Sequence, residues 1–284
     1  MSTPPRPRVS FRGSRGDDVA AGPRSTTVAS VLVSLRRWGV PLVAALALAT
    51  IFRPRSEPTV LFEQPSPQGV IQVVEQPDGL RELYLTPGGA RQTALYLSEP
   101  KRLVLDYTRV AMVALELVPE DGRMLFIGLG GGAMPTYVRW VRPDARIDAV
   151  DIDPVVVRVA QEWFGFRPSS RVRAFVGDGA EFVAAAPEAR WDWIMLDAFG
   201  PDGVPEALIS AAFVADVRRV LRPDGVVAVN LHTNSQAHAV MLQSLAVAFR
   251  HIVRIRVPGY RQEIVLAGDG DNLADADAVR ELVP

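Results

Sequence analysis

Three aspartates each close a run of apolar residues. Asp151 does so in Val150-Asp151-Ile152-Asp153-Pro154, Asp178 in Gly177-Asp178-Gly179, and Asp197 in Leu196-Asp197-Ala198-Phe199-Gly200-Pro201. A fourth run, Met124-Leu-Phe-Ile-Gly128-Leu-Gly130-Gly-Gly132, ends in glycines instead. Glycines let a backbone turn sharply and let a ligand lie close against it. A carboxylate at the end of the following strand is placed to accept both hydroxyls of a ribose, which is the reading of Asp151. Asp178, followed by Gly179, either caps the next helix or accepts an amino proton of a base. Asp197 reads from the residues alone as a strand-end acid capping its loop. Asp153 and Pro154 suit the start of a helix.

These residues need a frame that brings strand ends together. After Asp121-Gly122 the pattern alternates strands at Met124–Ile127, Arg146–Asp151, Val172–Val176, Trp193–Asp197 and Val226–Leu231 with helices near 133–142, 154–164, 179–186 and 206–221. Repeated β-α units imply a parallel sheet covered on both faces, with ligands at the carboxyl ends of its strands. A helix at 235–249, a strand at Ile252–Val257, a Pro258-Gly259-Tyr260 turn and a strand at Glu263–Ala267 close the sheet with a hairpin. Upstream, Gly69–Glu75, Arg81–Leu85 and Ala90–Leu97 are short β-prone runs separated by Pro-Asp-Gly and Pro-Gly-Gly turns. They read as a small antiparallel sheet. Pro100 to Val118 has helical apolar spacing, with Pro100 in the first turn. The fold class is therefore α/β, a Rossmann-type mostly parallel sheet with an antiparallel C-terminal strand, preceded by a small antiparallel β region.

The chain has 284 residues, a net charge of −1 and no cysteine. Absence of cysteine excludes a disulfide scaffold, a thiolate zinc site and a cysteine nucleophile. The near-neutral balance argues against nucleic acid as a partner. Residues 1–55 carry nine Arg and two Asp, net +7, and the remainder is net −8. Residues 1–37 read as a disordered basic tail. Residues 38–55 form a hydrophobic segment in which Trp38–Phe52 lacks any charge. As a helix this stretch reaches about 22 Å, short of a ~30 Å hydrocarbon core unless flanking arginines snorkel. A membrane tether through 38–52, a secretory signal and a soluble or interfacial segment all remain open readings. Residues 56–99 form the small β domain and 100–284 the nucleoside-binding α/β domain.

The order of glycine turn, acid after the second strand, Gly-Asp-Gly after the third, Asp after the fourth and Leu221-Arg-Pro-Asp-Gly225 before the fifth resembles a class I AdoMet-dependent transferase. Within that superfamily it resembles the spermidine synthase (polyamine aminopropyltransferase) family, over about residues 58–267. Gln92 in the β region and Tyr107 on the next helix add to the likeness. The resemblance implies transfer of an aminopropyl group from decarboxylated S-adenosylmethionine to a small-molecule amine in polyamine biosynthesis. It implies nucleoside contacts from Gln92, Gly128, Gly130, Gly132, Asp151, Asp178 and Gly179, with Asp151 on ribose and Asp178 on adenine. It implies catalysis by Asp197 and Tyr107, no metal, a homodimer, and a catalytic domain in the cytoplasm, either soluble or tethered.

Two departures from the family pattern stand out. An ungapped match puts Gly131 where the glycine motif has an Asp, and Gly200 where a second Asp follows the catalytic one; Asp202 is displaced. A carboxylate about 4 Å from that of AdoMet would cost ~4 kcal/mol at an effective dielectric of 20, so its absence admits ordinary AdoMet. A small-molecule methyltransferase is therefore one alternative, and a catalytically silent nucleoside-binding module is another. His232, His238 and His251 lack metal-ligand spacing, although His232 follows the fifth strand near the expected pocket. Trp191 and Trp193 read as packing. Trp163 and Phe164 read as core, with lining of the adenine slot as the alternative. Loop 198–206 could close over a substrate.

Overall fold

In the computed structural model, residues 57–200 and 203–283 are described. They fall in one unit, Arg55–Pro284. Trp38–Phe52 and Asp202 lie outside the described residues, and no described helix is long and apolar enough to cross a membrane.

Strands β1 (Thr59–Ser66), β2 (Gly69–Glu75), β3 (Leu80–Tyr84) and β4 (Arg91–Tyr96) form an antiparallel sheet in sequential order. The sequence reading missed β1, an edge strand whose Pro65 and irregular alternation hide it. A helix was expected from Pro100, but α1 spans only Asp106–Ala111 and continues as a 3₁₀ segment, Met112–Leu117. The chain first turns at Glu99–Arg102, where Arg102 N donates to Glu99 O at 2.9 Å, and Leu105 is extended.

The second sheet follows as β5 (Arg123–Ile127), β6 (Arg146–Asp151), β7 (Val172–Val176), β8 (Trp191–Leu196), β9 (Leu221–His232), β10 (His251–Arg256) and β11 (Gln262–Gly268). Their spatial order is β10-β11-β9-β8-β5-β6-β7. Strands β9, β8, β5, β6 and β7 pair in parallel, and β11 is antiparallel to both its neighbours. The crossovers carry α2 (Ala133–Val141), α3 (Pro154–Trp163), α4 (Gly179–Ala184) and α5 (Ala211–Val220). Next comes α6 (Gln236–Ala248) before β10, and α7 (Ala276–Glu281), absent from the sequence reading, follows β11. The expected helix 206–221 is a 3₁₀ turn, Glu206–Leu208, followed by α5, because Ser210 caps a new start by accepting from Phe213 N.

Apolar strands make two cores, one on each face. Phe126, Met195 and Trp193 lie on one face, and Leu125, Ile194 and Leu196 on the other. Trp191 and Trp193 are fully buried, with Trp193 edge-on to Phe126 at 5.2 Å. The small sheet packs Ile71, Val73, Leu83 and Leu95 against Val155, Val156, Val159 and Phe164 of the wound domain. After β5 the chain winds one way to β6 and β7, then the other way to β8 and β9. That reversal leaves a crevice above the β5 and β8 ends, where such sheets bind ligands.

Candidate active site

A cavity of about 630 Å³ opens at that crevice. Gln92, Tyr107, Gly128, Gly130, Asp151, Asp178, Gly179 and Asp197 all line it. Gly132 does not. It takes φ +74° at the head of α2, and a Cβ there would meet the Phe166 ring at 3.0 Å. The absence of a Cβ there serves helix entry and packing against Phe166.

Gly128 has φ +90°, and a Cβ would lie 2.1 Å from the carbonyl oxygen of Asp197. The turn therefore presses directly on the strand end that bears Asp197. Asp197 N donates to Ile127 O at 2.9 Å, closing the same junction. Gly131 is sealed from behind, since a Cβ would meet Phe164 and Thr93 Cγ2, each at 2.8 Å. Its N–H donates to Thr93 Oγ1 at 2.8 Å, tying β4 to the glycine turn. The acid missing from this position is thus replaced by close packing, and Phe164 is core. Trp163 lines a different cavity and packs on Phe62.

Asp151 spans the turn. Its Oδ2 accepts from Leu129 N at 2.8 Å and its Oδ1 from Asp153 N at 3.0 Å. Gly130 N–H adds a further backbone interaction with this carboxylate, which lines the cavity. Burial pushes its pKa above the ordinary carboxylate value, against those backbone donors. Asp153 caps α3 by accepting from Val155 N at 2.8 Å, as its position before Pro154 implies. Asp178 caps α4, with Oδ1 accepting from Ala180 N at 2.7 Å and Glu181 N at 3.1 Å, while the residue also lines the cavity. The two readings of Asp178 are therefore compatible.

Asp197 sits half-buried between two donors. Tyr107 Oη donates to Oδ2 at 2.9 Å and Asn230 Nδ2 to Oδ1 at 2.9 Å. Desolvation raises its pKa; the two hydrogen bonds and the nearby His232 oppose that rise. Tyr107 is held well above its ordinary value by burial first and by the Asp197 charge second, so it remains a donor. The arrangement is a fixed, desolvated carboxylate at a cavity wall, suited to receiving a proton.

Asn230, Thr93 and Gln68 escaped the sequence reading. Asn230 had a signal, being the one polar residue in the apolar run Val226–Leu231. His232 lines the cavity edge-on to Phe199 at 5.1 Å. In loop 198–206, Gly200 and Gly203 bridge through mutual hydrogen bonds of 2.8 and 3.1 Å. Among the described residues no group of three His, Asp or Glu side chains could hold a metal ion.

The Spermine/spermidine synthase domain family matches residues 107–264. A polyamine aminopropyltransferase of Vibrio vulnificus is 30% identical over 225 residues, 77% of this chain and 75% of that protein. A probable spermidine synthase of Corynebacterium glutamicum shares the fold, with TM-score 0.69 at 20% identity, over 79% of this chain and 87% of that one. Human methyltransferase-like protein 13, solved with SAH, superposes with TM-score 0.55 at 26% identity, over 62% of this chain and 91% of that one. A family match over more than half the sequence, on a methyltransferase-like sheet with its acidic strand ends around one cavity, makes this chain a member of the spermine/spermidine synthase family.

Proposed function

We propose that the protein transfers an aminopropyl group from decarboxylated AdoMet to an amine. The observation that carries this reading is Asp197, clamped by Tyr107 and Asn230 where the nucleoside turn meets the rest of the cavity. The glycine turn, Asp151 and Asp178 suit an adenosyl group: close backbone, a ribose-accepting carboxylate and an acidic residue near the base. The bound cosubstrate supplies a carbon made electrophilic by a positively charged leaving sulphur. Asp197 attracts the acceptor as its ammonium and takes the proton that the nitrogen must lose for its lone pair to attack. Tyr107 and Asn230 fix the carboxylate so that this happens without reorganisation; most of the gain is positioning. The nitrogen–carbon bond forms as the carbon–sulphur bond breaks, and methylthioadenosine leaves.

A methyltransferase is the second reading, favoured by the glycines at 131 and 200 and by the fold shared with the human methyltransferase. Product identity separates the two. Incubation with decarboxylated AdoMet and amines should release methylthioadenosine, whereas ordinary AdoMet and the same amines would give S-adenosylhomocysteine. Formation of the second product alone overturns the first reading. A homodimer and a tether through 38–52 are carried as proposals from the family resemblance and the sequence, tested by light scattering and membrane fractionation of the full chain.

A further inference from the structure

Glycines 128, 130 and 132 take φ of +90°, +53° and +74°, so the turn after β5 has little side-chain packing of its own to keep its shape. Its amides keep it instead. Gly128 N donates to Val150 O at 2.9 Å, Leu129 N to Asp151 Oδ2 at 2.8 Å, and Gly132 N to Leu129 O at 2.9 Å. Gly130 N–H is turned to the same Asp151 carboxylate. All of these partners belong to the wound domain. Gly131 N–H differs: it donates to Thr93 Oγ1 of β4, in the small sheet, at 2.8 Å.

Thr93 is 4% exposed and grips the turn with both branches of its side chain. Its Oγ1 lies 2.7 Å from where a Cβ on Gly130 would project, and its Cγ2 lies 2.8 Å from one on Gly131. The Phe164 ring stands 2.8 Å from that same point, so Gly131 is held between β4 and the end of α3. Arg91, Gln92 and Ala94, beside Thr93 on β4, line the cavity, as do Gly128 and Gly130. The hydroxyl therefore joins the small sheet to the backbone against which a nucleoside would lie.

Valine has the shape of threonine without the acceptor. It would leave the Gly131 amide without this partner, and an unmet buried N–H is costly. A glycine-rich segment relieves that cost by leaving the native turn, because glycine reaches many backbone states. A ligand that fits only the native turn then binds in proportion to the fraction of molecules that keep it.

We infer that Thr93 is a positioning residue for the nucleoside cosubstrate: its hydroxyl, presented by the small sheet, fixes the glycine turn in its ligand-binding form. The small sheet thereby becomes part of the cosubstrate site. The inference rests on the reading that this turn holds an adenosyl group.

The test uses the full chain, calorimetric titration with methylthioadenosine, and turnover of decarboxylated AdoMet with 1,4-diaminobutane. Thr93→Val should weaken methylthioadenosine binding by about tenfold and raise KM for decarboxylated AdoMet by a similar factor. At saturation kcat should stay within about twofold, because bound nucleoside restores the turn. Thr93→Ser keeps the hydroxyl and loses only the methyl, so it should bind close to wild type. If the valine variant fails to fold, alanine against serine at position 93 carries the comparison, with the alanine variant about tenfold weaker. Equal affinity in the valine variant and wild type, or in the alanine and serine variants, overturns the inference whatever happens to Tm, and leaves the nucleoside reading standing. A valine variant that loses kcat at unchanged KM overturns it as well. Wild-type protein that binds no methylthioadenosine overturns the nucleoside reading itself.

Discussion

Tyr107 and Asp197, 90 residues apart in the chain, meet at 2.9 Å with the phenol donating to the carboxylate. The contact joins α1 to the end of β8 and leaves the acid half-buried and held. If the phenol serves mainly to keep Asp197 ionised, Tyr107→Phe should lower kcat/KM by about tenfold, the worth of one hydrogen bond to a charged group. Losing a donor to the charged form pushes the acid's pKa further upward. The acidic limb of the pH–rate profile should therefore move to higher pH. A profile that keeps its position while the rate falls would point to a packing role.

Asp197→Asn removes the proton acceptor but keeps the shape. Loss of a positioned base should cost about 10²- to 10⁴-fold in kcat/KM. Stability should move the other way. The folded pKa of Asp197 lies above its ordinary value, so its contribution to stability is complete below that ordinary value and is lost as pH rises through the folded one. At neutral pH the wild-type carboxylate is a burden that an asparagine lacks. Thermal melts at pH 7 should give an equal or higher Tm for the variant, with the difference shrinking in acid.

Gly128→Ala should be damaging without touching any catalytic side chain. The added methyl would overlap the Asp197 carbonyl at a positive φ. Backbone against backbone cannot yield cheaply, so a loss of about 3 kcal/mol or more is expected in denaturant unfolding. A stability within 1 kcal/mol of wild type, about the size of a neutral surface change, would contradict the geometry.

Asp178 allows cap and ligand roles to be separated. Asp178→Ser keeps a good helix cap, whereas Asp178→Ala should cost about 1 kcal/mol of stability. Both remove the carboxylate from the cavity. If Asp178 contacts the base, both variants should bind methylthioadenosine more weakly to a similar degree, while only the alanine melts earlier. Unchanged affinity in the serine variant would leave the residue as a cap alone.

Much of this was legible in sequence because the central strands are nearly continuous apolar runs that end in Gly or Asp. Arg146–Asp151 and Val172–Val176 stand where the pattern put them. The misses have physical causes. Thr59–Ser66 lacks alternation and contains a proline, so pairing with β2 rather than local preference makes it a strand. The helix expected from Pro100 is cut short because turns at Glu99 to Arg102 satisfy the backbone differently. Within the site, Asp151 and Asp197 were readable as strand ends and Tyr107 through the family likeness, but Asn230, Thr93 and Gln68 were not singled out. Thr93 and Gln68 reach the crevice from the small sheet, whose approach depends on how the two sheets pack, while Asn230 comes from β9, the neighbour of β8. Gly132 resembles its neighbours in sequence, and the Phe166 ring packed behind it shows only in the structure.

The near-contact between Gly128 and the Asp197 carbonyl locks the glycine turn to the strand end that carries Asp197. Neither can be retuned without disturbing the other. The opposite wall brings together the β9 edge and the C-terminal hairpin, paired through Gln262 and His232, with the turn between β1 and β2. Exchange of those pieces would let one transfer engine serve different nucleophiles, so divergence among relatives should concentrate in Gln68, Arg91 and Tyr260 while the bolted pair stays fixed.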